Sequence, residues 1–145
     1  MTDAPSIHAS AVLIGAKAVL IRGPSGAGKS RLAWDLISSS ALPFARLVAD
    51  DRAHVEAHHG RLLVRPAPSL AGLIEVHGLG IRTITYEPVA AVGLVLDLAA
   101  ADAVRHPERT ETTIEAIALP RLAAGPGMEP LAMLLALLRT APGAD

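Results

Sequence analysis

Three residue types are missing altogether from this 145-residue chain: cysteine, asparagine and glutamine. Without cysteine there is no disulfide framework, no thiolate nucleophile and no thiolate metal site. Aromatic side chains are nearly absent. Trp34, Phe44 and Tyr86 are the only three, too few for a base-stacking nucleic-acid surface. An excess of either charge is lacking too: a net charge of −1 leaves no basic field for nucleic acid or anionic lipid. No apolar run reaches the ~20 residues a bilayer-spanning helix needs. The longest stretches, residues 89–96 and 131–138, are core-sized. Residues 1–10 carry Asp3 and His8 and no basic segment, so no secretory signal is expected. These absences predict a soluble, cytoplasmic protein with neither nucleic acid nor membrane as partner.

What is present is apolar. Hydrophobic residues make up 51% of the chain and charged residues 19%, enough to bury one real core. There are no repeats and no long linkers, so residues 1–145 read as a single domain. Short apolar runs at 11–14 and 18–21 flank Gly15-Ala16-Lys17, and runs at 54–57 and 62–65 flank His58-His59-Gly60. Both patterns predict hairpins. Residues 73–76, 81–85, 89–98 and 112–118 are further strand candidates. Helical spacing begins at Lys29, with Leu32, Leu36 and Ile37 on one side, and Pro130 opens a second helix through residues 131–138, read as core rather than interface. The pattern is strand-rich with two helices and a mixed sheet. Together with the loop described next, it predicts an α/β kinase core.

Residues 23–30 read Gly23, Pro24, Ser25, Gly26, Ala27, Gly28, Lys29 and Ser30, a full match to the Walker A pattern G-x-x-x-x-G-K-[ST]. Glycines let the backbone curl so that successive N–H groups converge on phosphate oxygens. The helix that follows adds unpaired amides and a positive dipole end. Lys29 is suited to reach β- and γ-phosphate oxygens, and the Ser30 hydroxyl to ligate Mg²⁺. An apolar strand precedes the loop and a helical pattern follows it. Lysine occurs at only one other position, Lys17, so Lys29 is not one of a solvated cluster.

Such a loop needs a carboxylate near Mg²⁺, usually where an apolar strand ends. Residues 45–49 end in Asp50 and Asp51, and residues 92–96 end in Asp97. Neighbours on a strand point to opposite faces. One acid of the pair is therefore expected at the metal and the other at the incoming nucleophile, as a general base. Asp97 alone supplies only a metal-shell role. Glu75 interrupts an apolar strand, as either a metal-side carboxylate or an outward edge residue. The six histidines show no metal-ligand spacing.

Together these segments resemble the catalytic domain of HPr kinase/phosphorylase. The likeness is carried by Ile7-His8, by residues 23–30, by Leu47-Val48-Ala49-Asp50-Asp51-Arg52, and by Ile74-Glu75-Val76-His77-Gly78-Leu79-Gly80-Ile81. It runs from about residue 6 to residue 85, over half the chain. The resemblance implies a P-loop core related to phosphoenolpyruvate carboxykinase, and ATP-dependent phosphorylation of a seryl hydroxyl on HPr. It implies Asp51 as proton acceptor, Glu75 as a Mg²⁺ ligand beside Ser30, Asp50 and Lys29 in the catalytic group, and His8 near the acids. Arg109 aligns with a late arginine of the family. Members of the family form hexamers, which implies a homo-oligomer.

The sequence departs from the family in several places. His77 stands where the signature has arginine. The chain is expected to be a short, alphaproteobacterial-like form without the domain that usually precedes this one. The loop Pro126-Gly127-Met128-Glu129 lacks the arginine and asparagine that serve dephosphorylation. These changes put phosphorylase activity in question and leave the kinase residues complete. Alternatives are a P-loop small-molecule kinase, which usually carries an arginine-rich lid that the scattered arginines do not form, and a nucleotide-binding regulatory ATPase. A GTPase switch needs the asparagine and glutamine this chain lacks.

Overall fold

The computed structural model describes residues 5–104 and 110–141. In chain order the elements are β1 (Ser6–Ile7), β2 (Ala9–Ile14), β3 (Lys17–Arg22), α1 (Lys29–Ser38), β4 (Ala45–Ala49), β5 (Ala53–His58) and β6 (Arg61–Pro66). There follow β7 (Leu73–Val76), β8 (Gly80–Thr83), β9 (Ala90–Leu98), β10 (Glu111–Ile114), β11 (Ile117–Ala124) and α2 (Pro130–Arg139).

Both hairpins form as expected. β2 pairs antiparallel with β3, and β5 with β6. Each is closed by two residues, Gly15-Ala16 and His59-Gly60. The single strand expected over 112–118 is instead a third hairpin, β10–β11. Its turn residues Glu115 and Ala116 both take positive φ, 49° and 63°. Alternating β-branched residues continue across that turn, so periodicity alone hides it.

The main sheet has nine strands in the order β1-β5-β6-β9-β3-β2-β4, with β11 joined to β9 and β10 to β11. Strand β9 is its spine. It runs parallel to β3 and, through its last four residues, parallel to β11, while its first two residues pair antiparallel with β6. The β3–β9 register slips by one residue, leaving Gly93 unpaired beneath the Lys17 side chain, where a Cβ would sit 2.8 Å from Lys17 Cβ. β4 also packs on β6, and the sheet curls into a mixed barrel.

This corrects the expected class. The described residues are mostly β, with two ten-residue α-helices among them, and not an α/β kinase core of the phosphoenolpyruvate carboxykinase type. The physical reason lies in the connections. Two-residue turns join three of the strand pairs, and among the described elements only α1, between the parallel strands β3 and β4, is a crossover helix. The Walker motif predicts its own helix correctly and says nothing about the rest.

The central strands β2, β3, β4 and β9 are buried on both faces, which explains their near-continuous apolar runs. Along β3, Ala18 and Leu20 enter one core with Val48, Val55, Leu62, Val64 and Val95. Val19 and Ile21 enter the other with Leu32, Leu36, Leu47, Ile74, Leu96 and Leu134. Helices α1 and α2 lie on this second face. Only part of α2 is core. Leu134 is buried and Leu131 and Met133 pack beside it, but Leu137 and Leu138 are exposed.

Candidate active site

The end of β3 feeds the glycine-rich loop. Gly23 is there for space: a Cβ at this position would lie 3.1 Å from Leu98 Cβ and 3.2 Å from Ala27 Cβ. Gly26 and Gly28 supply positive φ, 83° and 99°. Ala27 N–H donates to the Pro24 carbonyl at 3.0 Å, and Gly28 then starts α1, its carbonyl accepting from Leu32 N–H at 2.9 Å. No side chain caps this helix start and no acid lies in its first turn, so its amides and dipole face outward unopposed. Lys29 Nζ folds over the loop and donates to the carbonyls of Gly23 (2.8 Å) and Pro24 (3.2 Å).

Facing the loop is Asp50, just beyond β4 and 5% exposed. The Ser30 hydroxyl lies 2.8 and 2.9 Å from its two carboxylate oxygens. The Ser10 hydroxyl donates to Oδ1 at 2.6 Å, and Glu75 N–H donates to Oδ2 at 3.1 Å. Four segments distant in sequence thus meet on one carboxylate, and every one of these partners is a neutral dipole.

Asp50 and Asp51 do diverge, one buried and one exposed. The cause is not strand alternation, because β4 ends at Ala49. Arg52 N–H donates to the Asp50 carbonyl at 2.8 Å, and Asp51 between them takes φ 70°. That is a tight, left-handed γ-turn, a strained form.

The other sequence candidates are placed as follows. Glu75 shares the site through its backbone, while its side chain is exposed beside buried Ile74 on the β7–β8 hairpin. His8 is exposed, and its Nε2 lies 3.0 Å from an Arg52 nitrogen, one residue past Asp51. Pro24, Ser25 and Gly26 form the exposed crown of the loop. Arg109 lies outside the described residues.

Asp97, the rival metal-shell candidate, is taken. Arg22 grips it with Nε at 2.7 Å and a second nitrogen at 2.9 Å, and Arg121 Nε adds a bond of 2.5 Å. Arg121 also holds Asp102 at 2.8 and 2.9 Å. Burial by itself would raise the Asp97 carboxyl, but the two guanidiniums hold it below the usual carboxylate range. Asp102 is lowered by its bond to Arg121, and Arg121 is raised by both acids, Asp102 first.

Sequence reasoning missed Ser10, Arg22 and Arg121. Ser10 had a faint signal, a lone hydroxyl inside an apolar strand. The arginines had none, because their meeting at Asp97 depends on the parallel pairing of β3 and β11 with β9.

Oxygen ligands and an unopposed helix start suit a magnesium nucleotide. Among the described residues no group of three or more His, Cys, Asp or Glu side chains gathers to hold a metal.

A family model described as the HPr Serine kinase C-terminal domain matches residues 1–117. The HPr kinase/phosphorylase of Streptococcus thermophilus is 42% identical over 82 residues, which cover 56% of this chain and 25% of that protein. The protein of the same name from Limosilactobacillus reuteri is 43% identical over 81 residues, 55% of this chain and 24% of that one. The chain thus matches about a quarter of the length of these curated relatives. A solved structure, the Hpr(Ser) kinase/phosphatase from Coxiella burnetii, has the same fold with a TM-score of 0.73. The match covers 93% of this chain and 88% of that one at 24% identity. No helix among the described residues is long and apolar enough to cross a membrane.

Proposed function

Since the chain belongs to the HPr serine kinase C-terminal domain family, we propose that it transfers the terminal phosphoryl group of ATP to a seryl hydroxyl of an HPr-type phosphocarrier protein. The observation that carries this reading is the convergence of Ser30, at the mouth of the phosphate loop, on buried Asp50, with exposed Asp51 next to it.

Phosphoryl transfer asks a protein mainly to position reactants and spread charge. The amides of residues 26–30 and Lys29 cradle the phosphates. Mg²⁺ arriving with the nucleotide would be held by the Ser30 hydroxyl, with Asp50 and Glu75 as nearby carboxylates, and it supplies charge neutralisation at the β- and γ-phosphates. Asp51 accepts the proton as the seryl oxygen bonds to the γ-phosphorus and the bond to the β-phosphate oxygen breaks, releasing ADP. His8, reaching Arg52, borders the acids on the substrate side. The forward direction is favoured because the loop at residues 125–129 lacks arginine and asparagine.

Incubation with HPr and ATP, with phosphate located by mass spectrometry, tests the reading. Phosphoserine on HPr is the expected result; unmodified HPr defeats it. The same assay run backwards, from phosphoseryl-HPr with inorganic phosphate, is expected to give little or no dephosphorylation.

A further inference from the structure

Ser10 lies in β2 between Ala9 and Ala11, and all three residues are completely buried. A hydroxyl in such a place needs partners. Its donor goes to Asp50 Oδ1 at 2.6 Å, and its oxygen accepts from Asp51 N–H at 3.4 Å. The β2–β4 ladder ends with Ala11 opposite Ala49, so one further step sets Ser10 opposite Asp50. The ladder is also bulged next to Ala11, which turns the end of β4. One hydroxyl therefore touches both residues of the acidic pair where the chain leaves the sheet.

That exit is where the strain sits. A non-glycine residue in the left-handed region is strained and persists only when its surroundings hold it. At Asp51 the turn is closed from within by Arg52 N–H on the Asp50 carbonyl. The Asp50 carboxylate needs Ser10 least, because Ser30 and the Glu75 amide also donate to it. The Asp51 amide has Ser10 as its acceptor.

We infer that Ser10 is a positioning residue: its hydroxyl braces the left-handed turn at residues 50–52, so that Asp50 stays turned in to Ser30 while Asp51 is aimed outward at the acceptor. Its catalytic consequence rests on the phosphotransfer reading above. Its structural content does not.

The test uses the full chain with Ser10→Ala, and Ser10→Thr as the variant that keeps the hydroxyl. Three measurements are made: amide-proton exchange at Asp51 and Arg52 by NMR, MgADP affinity by calorimetry, and kcat and KM for HPr phosphorylation. In Ser10→Ala, exchange at both amides is expected to quicken about tenfold, the effect of losing one hydrogen bond. MgADP affinity and the KM for ATP are expected to stay within about threefold, while kcat falls about 10- to 100-fold, as for a catalytic group displaced by about an ångström. Ser10→Thr restores the exchange rates and most of kcat. A merely structural role lowers affinity and rate together and leaves their ratio fixed, which overturns the inference, as does unchanged exchange at Asp51.

A second arm covers the case in which Ser10→Ala folds poorly. In an Asp51→Gly background the left-handed turn needs no brace, so adding Ser10→Ala is expected to lower the thermal midpoint less than it does alone, or to rescue folding. Equal, additive losses overturn the brace. If the unmodified chain leaves HPr unphosphorylated, the functional reading fails while exchange and the stability cycle still decide the role of Ser10.

Discussion

Asp50 and Asp97 occupy equivalent-looking places. Each ends an apolar strand beside the root of the phosphate loop, and each is mostly buried. Their surroundings are opposite. Two guanidiniums neutralise Asp97, tying β3, β9 and β11 together at the point where Arg22 gives way to Gly23. Asp50 is held by two hydroxyls and a backbone amide, all dipoles without net charge. A carboxylate satisfied by dipoles keeps its full negative charge for an incoming cation. One already paired has little left to offer. The function of an acid depends on who solvates it, and on this contrast we propose Asp97 for the frame and Asp50 for the chemistry.

The largest effect that can break this contrast comes from neutralising each acid in turn. Asp50→Asn and Asp51→Asn are both expected to lower phosphoryl transfer by about 10²- to 10⁴-fold, the range for losing metal-side charge stabilisation or a general base. Asp51→Asn is expected to keep MgADP binding, because the proposed role of Asp51 is toward the acceptor. Asp97→Asn is expected to lower the thermal midpoint and to leave kcat of the folded protein within a few-fold. Steady-state assays beside thermal melts check all three, and a large kcat loss in folded Asp97→Asn refutes the division.

How much of this was legible in the sequence depends on the range of each interaction. The loop at residues 23–30, the start of α1 at Lys29, two hairpins and the Asp50–Asp51 pair follow from local patterns that short segments carry by themselves. The parallel pairing of β3 and β11 with β9 joins residues far apart in sequence, and with it goes the neutralisation of Asp97. Read along the chain, Asp97 looked like a spare metal ligand. The partners of Ser10 were hidden for the same reason, since they lie 40 and 41 residues away. The α/β expectation failed because one motif was allowed to speak for strands it does not contact.

Arg121 sharpens the contrast from the cation's side. Arg121→Ala leaves Asp97 with Arg22 alone and frees Asp102, and is expected to cost about 1–3 kcal/mol, less than for a fully buried pair because solvent reaches part of the network. Denaturant unfolding measures it. Acid offers a second route to the same cluster. Asp97 and Asp102 titrate below their ordinary range when folded, so their contribution is fully present above the unfolded carboxylate pKa and fades as pH falls through the lower folded values. Thermal midpoints are therefore expected to fall below about pH 4, and the fall is expected to be shallower in Asp97→Asn. An equally steep fall in that variant places the acid-sensitive group elsewhere.

The smallest effect compares two strained turns. Asp51 and Ala116 share left-handed backbone, with φ of 70° and 63°. At Asp51 the proposed general base gives the strained position a use, and Ser10 Oγ accepts from its amide. At Ala116 the second turn residue of β10–β11 is exposed, and its methyl group does nothing for the turn but clash with the local backbone. Two-residue hairpins of this type favour glycine there. Ala116→Gly is therefore expected to raise stability by up to about 1 kcal/mol, the usual gain less the extra freedom glycine brings to the unfolded chain, with kcat unchanged. Asp51→Gly relieves strain of the same kind and is expected to abolish most transfer. Chemical denaturation and the HPr assay on the two glycine variants separate the cases. If Ala116→Gly destabilises the protein, the hairpin turn is held by contacts other than its own backbone preference, and left-handed strain is no guide to where this fold serves function.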